Sequence, residues 1–80
     1  MSQGYSQGLV EANRKASRSH PGVALGRMCI KAKVPVMEVA EHFGLSRQAI
    51  YSWFKGVSSP RPDLVKQIEK YMYQIGRRLG

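Results

Sequence analysis

Five polar side chains between residues 47 and 55 recur at spacings that would place them on one side of a helix. They are Arg47, Gln48, Tyr51, Ser52 and Lys55; each can donate a hydrogen bond, and none is acidic. An arginine suits the two acceptors of guanine, and a glutamine amide can pair with adenine through two bonds. This composition favours a ligand rich in acceptor atoms, such as a nucleic acid. The alternative is an ordinary solvated helix face, which would also be polar.

The stretch 36–55 that carries these side chains has the pattern of two short helices joined by a tight turn. Apolar residues recur at helical spacing on both sides of the turn: Val36, Val39, Ala40 and Phe43 before it, and Ala49, Ile50, Trp53 and Phe54 after it. Gly44 can take the positive φ with which a helix ends, and the Ser46 hydroxyl can cap the next helix. Gly56 closes the segment. We therefore predict a helix-turn-helix.

This pattern resembles the helix-turn-helix of the Cro and lambda-repressor (XRE-like) DNA-binding proteins. Counting Val36 as the first of twenty positions, that family has apolar residues at the fourth, eighth, tenth, fifteenth and eighteenth positions. It also has a small residue at the fifth position and glycine at the ninth. All seven positions match, with Val39, Ala40, Phe43, Gly44, Leu45, Ile50 and Trp53. The resemblance covers about a quarter of the chain closely and extends more loosely over residues 23–73.

The resemblance implies an all-α fold, a small bundle of four to five helices of the lambda-repressor type with the helix-turn-helix at its centre. It implies sequence-specific binding of double-stranded DNA by a transcriptional regulator, most simply a phage or bacterial repressor. The second motif helix would enter the major groove. Base reading is expected of Arg47, Gln48 and Ser52. Phosphate binding is expected of Tyr51, Lys55, Ser58, Ser59 and Arg61.

Residues 1–19 are rich in serine, glutamine and glycine, and we expect a flexible basic arm there, with at most a short helix from Ser6 to Ala16. Its cations Arg14, Lys15 and Arg18 are candidates for phosphate contacts, by analogy with homeodomain arms. The alternative is an inert tail. The DNA-binding domain would then span residues 20–80, with a first helix from Pro21 to about Lys31 and a last helix from about Pro62 to Arg78.

The composition fits one small domain with a polyanionic partner. The chain has 80 residues and a formal net charge of +8, with basic residues in every part of it. No apolar run is long enough to span a membrane, and the N-terminus lacks an apolar signal region, so a cytoplasmic location near the bacterial nucleoid is expected. Cys29 is the single cysteine, in an apolar helical pattern typical of a buried thiol. No cofactor, metal or small-molecule ligand is expected.

The last predicted helix has a second apolar pattern, which suggests a homodimer. Val65, Ile68, Met72, Ile75 and Leu79 follow one another at spacings of three and four residues, as in a helix pair. Ile75 and Leu79 lie beyond what a small core should cover, so we expect them to contact a partner. The alternative is that the helix frays after Tyr73.

Two other functions stay open. The fold could bind a protein such as RNA polymerase or another regulator, but such a module would tolerate acidic residues on the outer face of the second motif helix, and none occurs there. A protein that coats DNA without sequence preference would need the charge but not the arrangement of Arg47 and Gln48. An enzyme is not expected, because no acid/base pair, nucleophile–base set, phosphate loop or metal cluster is recognisable.

Overall fold

The computed structural model describes residues 5–17 and 19–79, the last of these by its backbone alone. The described residues form five helices and no strand. The helices are α1 (Gln7–Lys15), α2 (Pro21–Ala32), α3 (Val36–Phe43), α4 (Arg47–Lys55) and α5 (Pro62–Leu79). The all-α prediction is confirmed, and so is the central pair of short helices, α3 and α4. The predicted first and last helices correspond to α2 and α5.

The turn between α3 and α4 is built as the sequence predicts. Gly44 has a φ of 68°, and its N–H donates to the carbonyls of Ala40 and Glu41. Three residues later α4 has begun, because the Ser46 hydroxyl accepts a hydrogen bond of 3.2 Å from the N–H of Ala49. The connection between the two helices is therefore short and has a defined conformation. The angle between α3 and α4 is determined by the residues of this turn.

The hydrophobic core lies where α2, α4 and α5 meet, and α2 and α4 cross at very short range. Ile50, Phe54 and Ile68 are fully buried. The close crossing depends on two glycines of α2: a Cβ on Gly22 would lie 2.7 Å from the Cβ of Trp53, and one on Gly26 would lie 2.6 Å from Cγ of Phe54. Real Cβ atoms do not approach other carbons so closely.

The N-terminal region contains the short helix expected between Ser6 and Ala16, but this helix is packed on the domain and is not part of a mobile arm. Residues 7–15 form the helix α1, which packs against α2 and α4, and its Leu9 and Asn13 are buried. The Asn13 amide donates to the carbonyls of Phe54 in α4, at 2.7 Å, and of Val23 in α2, at 3.2 Å. A buried amide is stable only with such partners, and they lie far away in the sequence. The folded unit therefore starts before residue 20.

The proposed role of Ile75 in a dimer contact is wrong. Its side chain is 1% exposed and belongs to the core with Ile68 and Tyr71. The helix α5 does not fray after Tyr73 but continues to Leu79, packing along α2. The core therefore extends one turn further than the size of the chain suggested. The Leu79 side chain lies outside the described residues.

Two further observations bear on what the fold excludes. Burial raises the pKa of the Cys29 thiol to about 12, so the thiol stays protonated and unreactive at neutral pH. None of the helices in the described part of the chain combines the length and the apolar character that a bilayer-spanning segment requires.

Candidate nucleic-acid interface

The helix α4 has one buried side and one side that faces the solvent. Ile50, Trp53 and Phe54 are at most 5% exposed and fix the helix to the core. On the opposite side Arg47, Gln48, Tyr51 and Lys55 are exposed and Ser52 is half-buried. All five residues that the sequence singles out on this helix therefore share one accessible surface.

This surface forms one wall of a groove with a volume of about 840 Å³. The rest of the lining comes from the start of α1, within residues 5–9, and from the start of α3, within residues 35–37. The lining consists of Tyr5, Ser6, Gly8 and Leu9; Pro35, Val36 and Met37; and Arg47, Gln48, Tyr51, Ser52 and Lys55. It contains two cationic side chains and no carboxylate. The positive charge of such a groove attracts an anionic ligand and repels a cationic one.

The cations of the groove are not neutralised within the protein. The ion pairs of the described residues join Arg14 to Glu11, Arg61 to Asp63 and Arg78 to Glu38. Neither Arg47 nor Lys55 takes part in any of them. Their charge is thus available to a ligand, and its attraction will weaken with added salt because both side chains are solvent-exposed.

The loop between α4 and α5 carries three more of the predicted phosphate-binding residues. Ser58, Ser59 and Arg61 are exposed there, outside the groove lining. Nδ1 of His20 accepts hydrogen bonds from the N–H groups of Gly22 and Val23, at 3.1 and 3.3 Å. This bonding pattern assigns the ring proton to Nε2, which then donates to the Ser59 hydroxyl at 3.1 Å. The hydroxyl hydrogen of Ser59 is thereby left to donate outward.

The basic residues of the N-terminal region lie at a different place. Arg14 and Lys15 are exposed in the last turn of α1, whereas the groove is lined by residues at its beginning. At about 1.5 Å per residue, the two ends of this helix are more than 10 Å apart. Arg14 also forms its exposed ion pair with Glu11, at 3.3 Å. The third predicted residue of this group, Arg18, lies outside the described residues.

The α1 side of the groove is not among the residues that the sequence predicts for the site. Tyr5, Ser6 and Gly8 line it, next to residues that come some forty positions later in the chain. One local signal existed: Ser6 caps α1 by accepting a hydrogen bond of 3.2 Å from the N–H of Leu9. That signal fits the short helix expected from Ser6 to Ala16 but does not determine its position beside α4, which depends on the long-range contact of Asn13 with Phe54.

Residues 37–72 match a protein-family model described as helix-turn-helix. The matched segment begins at the second residue of α3, contains all of α4 and ends at Met72 within α5. Neither the curated proteins nor the solved structures contained a match to the chain. The match agrees with the seven-position pattern of the sequence and with the turn geometry at Gly44. This segment is therefore similar to a helix-turn-helix family, in agreement with the resemblance of its sequence to the Cro and lambda-repressor (XRE-like) proteins.

Proposed function

We propose that this protein is a sequence-specific regulator of transcription that places α4 in the major groove of double-stranded DNA and acts as a repressor. The observation that carries the proposal is the polar surface of α4, on which all five side chains can donate a hydrogen bond and none is acidic. This surface lines a groove without a carboxylate in its lining, within an XRE-type helix-turn-helix. In the major groove the base edges present hydrogen-bond acceptors and donors. The sugar–phosphate backbones on either side of the groove present anionic phosphate oxygens, which accept hydrogen bonds.

The five side chains of α4 divide by their position along the helix. Arg47 and Gln48 belong to the first turn and Ser52 follows one turn after Gln48, so these three would read bases. Lys55 lies in the last turn of α4, and Tyr51 lies between the first turn and Lys55. Both of these residues would bind phosphates. Ser58, Ser59 and Arg61 would add phosphate contacts from the loop. We keep Arg14, Lys15 and Arg18 as phosphate ligands of a more distant stretch of the duplex.

The test compares base reading with phosphate binding. A preferred site is first selected from a random DNA library, and the affinity of each variant is then measured for that site and for unrelated DNA. Arg47→Ala and Gln48→Ala should each cost about 1–3 kcal/mol on the preferred site alone, because each loses a bidentate base contact. Lys55→Ala is the control and should weaken both affinities equally, because a phosphate contact carries no sequence information.

The ratio of the two affinities decides between the candidate functions. If Arg47→Ala and Gln48→Ala lower the affinities for the preferred site and for unrelated DNA by the same factor, the protein coats DNA without reading its sequence. If the native protein selects no sequence and binds DNA no better at low salt, a protein-binding module is the better account.

We also propose a homodimer, formed through a surface of α5 different from the one expected. Tyr73 is 68% exposed and stands beside the half-buried Met72 and Gly76. Glu69 and Arg77 lie four residues before and four residues after Tyr73 on the same side of the helix. If two copies of α5 pack antiparallel about a twofold axis at Tyr73, each Glu69 faces the Arg77 of the other copy.

A charge exchange tests this dimer. Glu69→Arg should dissociate it because two arginines then face each other twice across the axis, and the double variant Glu69→Arg/Arg77→Glu should restore it. Sedimentation velocity at micromolar concentration, with and without DNA, measures the outcome. Gln74→Arg serves as control, because Gln74 is exposed on another side of α5. A native protein that sediments as a monomer in both conditions would contradict the proposal.

A further inference from the structure

The groove beside α4 has a second wall that the helix-turn-helix match leaves unexplained. This wall is the beginning of α1, and α1 lies entirely outside the matched segment 37–72. Tyr5, Ser6, Gly8 and Leu9 line the groove together with Arg47, Gln48 and Lys55 of α4. The lining therefore joins α1 to the residues of α4 that are proposed to contact DNA.

The wall is held firmly against α4. The buried Asn13 amide donates to the carbonyl of Phe54 at the end of α4. The Arg27 guanidinium donates to the carbonyls of Asn13 and Arg14, at 2.9 and 3.1 Å, and so satisfies the end of α1. At the other end the Tyr5 hydroxyl donates to the carbonyl of Val34. Burial raises the pKa of Tyr5, so this hydroxyl keeps its proton. These bonds attach both ends of this segment to the rest of the fold, and the bond from Asn13 attaches it to α4 directly.

The dimensions of DNA indicate what such a groove would contain. The major groove of B-DNA is about 12 Å wide, and an α-helix with its side chains has a diameter of about 10–12 Å. A helix seated in the major groove thus has a sugar–phosphate strand on each side. A rigid wall beside α4 must face one of these strands across the gap.

The chemistry of the wall suits that strand. The polar groups of the lining are hydroxyls, one side-chain amide and two cations, beside the apolar Leu9, Pro35, Val36 and Met37, and the lining contains no carboxylate. Glu11, the acidic residue of α1, is outside the lining and pairs with Arg14. Gly8 gives the wall an open surface, since a Cβ built on it would meet no atom within 4 Å. A phosphate could therefore approach the backbone of α1 closely at this residue.

We propose that the groove between α1 and α4 binds the sugar–phosphate backbone of one DNA strand, with Gly8 at the point of closest approach. The proposal rests on the proposed function and adds a second contact surface to it. It makes α1 part of the DNA-binding site and assigns the groove a ligand. The strand is held from both sides, by Lys55 from α4 and by the residues at the start of α1.

Charged substitutions at Gly8 test the proposal in both directions. Gly8→Lys should add one phosphate contact and steepen the plot of log K against log salt by about 0.9, which makes the loss of affinity between 50 and 200 mM salt about 3.5-fold larger. Gly8→Glu should weaken binding about tenfold, because it places a carboxylate against the strand. A glutamate at the start of a helix is favourable for folding, so weaker binding with an unchanged or higher melting temperature excludes misfolding as the cause.

The matched controls are Gln7→Lys and Gln7→Glu. Gln7 is the neighbouring residue, is equally exposed and lies in the same turn, but it does not line the groove. The proposal requires clearly larger effects at Gly8 than at Gln7, with opposite signs for the two charges. Equal effects at both residues, while Arg47→Ala still relaxes base choice, would overturn the role of α1 alone. If the native protein showed no sequence preference at all, that result would instead contradict the proposed function.

Discussion

Replacing Trp53 by alanine is expected to lower the free energy of unfolding by about 3–5 kcal/mol, the range for a buried aromatic side chain. Trp53 is 5% exposed, packs edge-on against the Phe43 ring with centroids 5.7 Å apart, and touches Gly22 of α2. Its loss opens a cavity where α2, α3 and α4 meet. A domain of this size has a total stability of only about 4–12 kcal/mol, so the substitution would remove a large part of it.

The control for this prediction is Tyr51→Ala, an aromatic deletion two residues away on the opposite side of α4. Tyr51 is 38% exposed, and its loss should cost less than about 1 kcal/mol of stability. Urea unfolding followed by far-ultraviolet circular dichroism measures both variants; fluorescence is unsuitable because Trp53 is the single tryptophan. Equal costs for the two substitutions would contradict the assignment of one aromatic to the core and the other to the ligand surface.

Replacing Gly22 by alanine is expected to cost about 2–3 kcal/mol of stability through overpacking. The added methyl group would lie 2.7 Å from the Cβ of Trp53 and 2.9 Å from its carbonyl oxygen. These atoms cannot rotate away as the end of a long side chain can, so α2 and α4 must separate. The side chains of α4 that we propose to read bases would move with the helix, and affinity for the preferred site should fall even in the fraction that remains folded.

The same substitution elsewhere gives a control of opposite sign. A Cβ on Gly8 or Gly76 would meet no atom within 4 Å, and both residues are helical. Gly8→Ala and Gly76→Ala should therefore stabilise the protein by up to about 1 kcal/mol, because alanine favours the helix. Thermal unfolding of the three variants measures the contrast. A Gly22→Ala protein as stable as Gly76→Ala would mean that the helices do not cross at the distance described.

Both predictions bear on function because α4 is held in place from several sides. Its start is set by Ser46, its buried side by Trp53 and Phe54, and its end by Asn13. Reading of bases requires side chains to be positioned within fractions of an ångström. The contacts that stabilise the fold are thus the same contacts that would present Arg47 and Gln48 to DNA.

The sequence by itself determined the helix-turn-helix, because its signals are local. The apolar spacing of residues 36–54 places one face of each helix in the core, Gly44 takes the positive φ that ends α3, and Ser46 caps α4. The polar side of α4 followed from the same periodicity. Each of these features involves residues within about one or two helical turns, which is the range over which sequence patterns carry information.

Only the tertiary structure decided the place of α1 and the extent of the core. Nothing local distinguishes Asn13 from a solvated amide; it is buried because the carbonyl of Phe54, far along the chain, needs a donor at the end of α4. In the same way Ile75 is in the core because α5 packs along α2 beyond the length that the chain size suggested. The groove exists because these long-range contacts bring the beginning of α1 beside α4, and such contacts have no signature in the spacing of neighbouring residues.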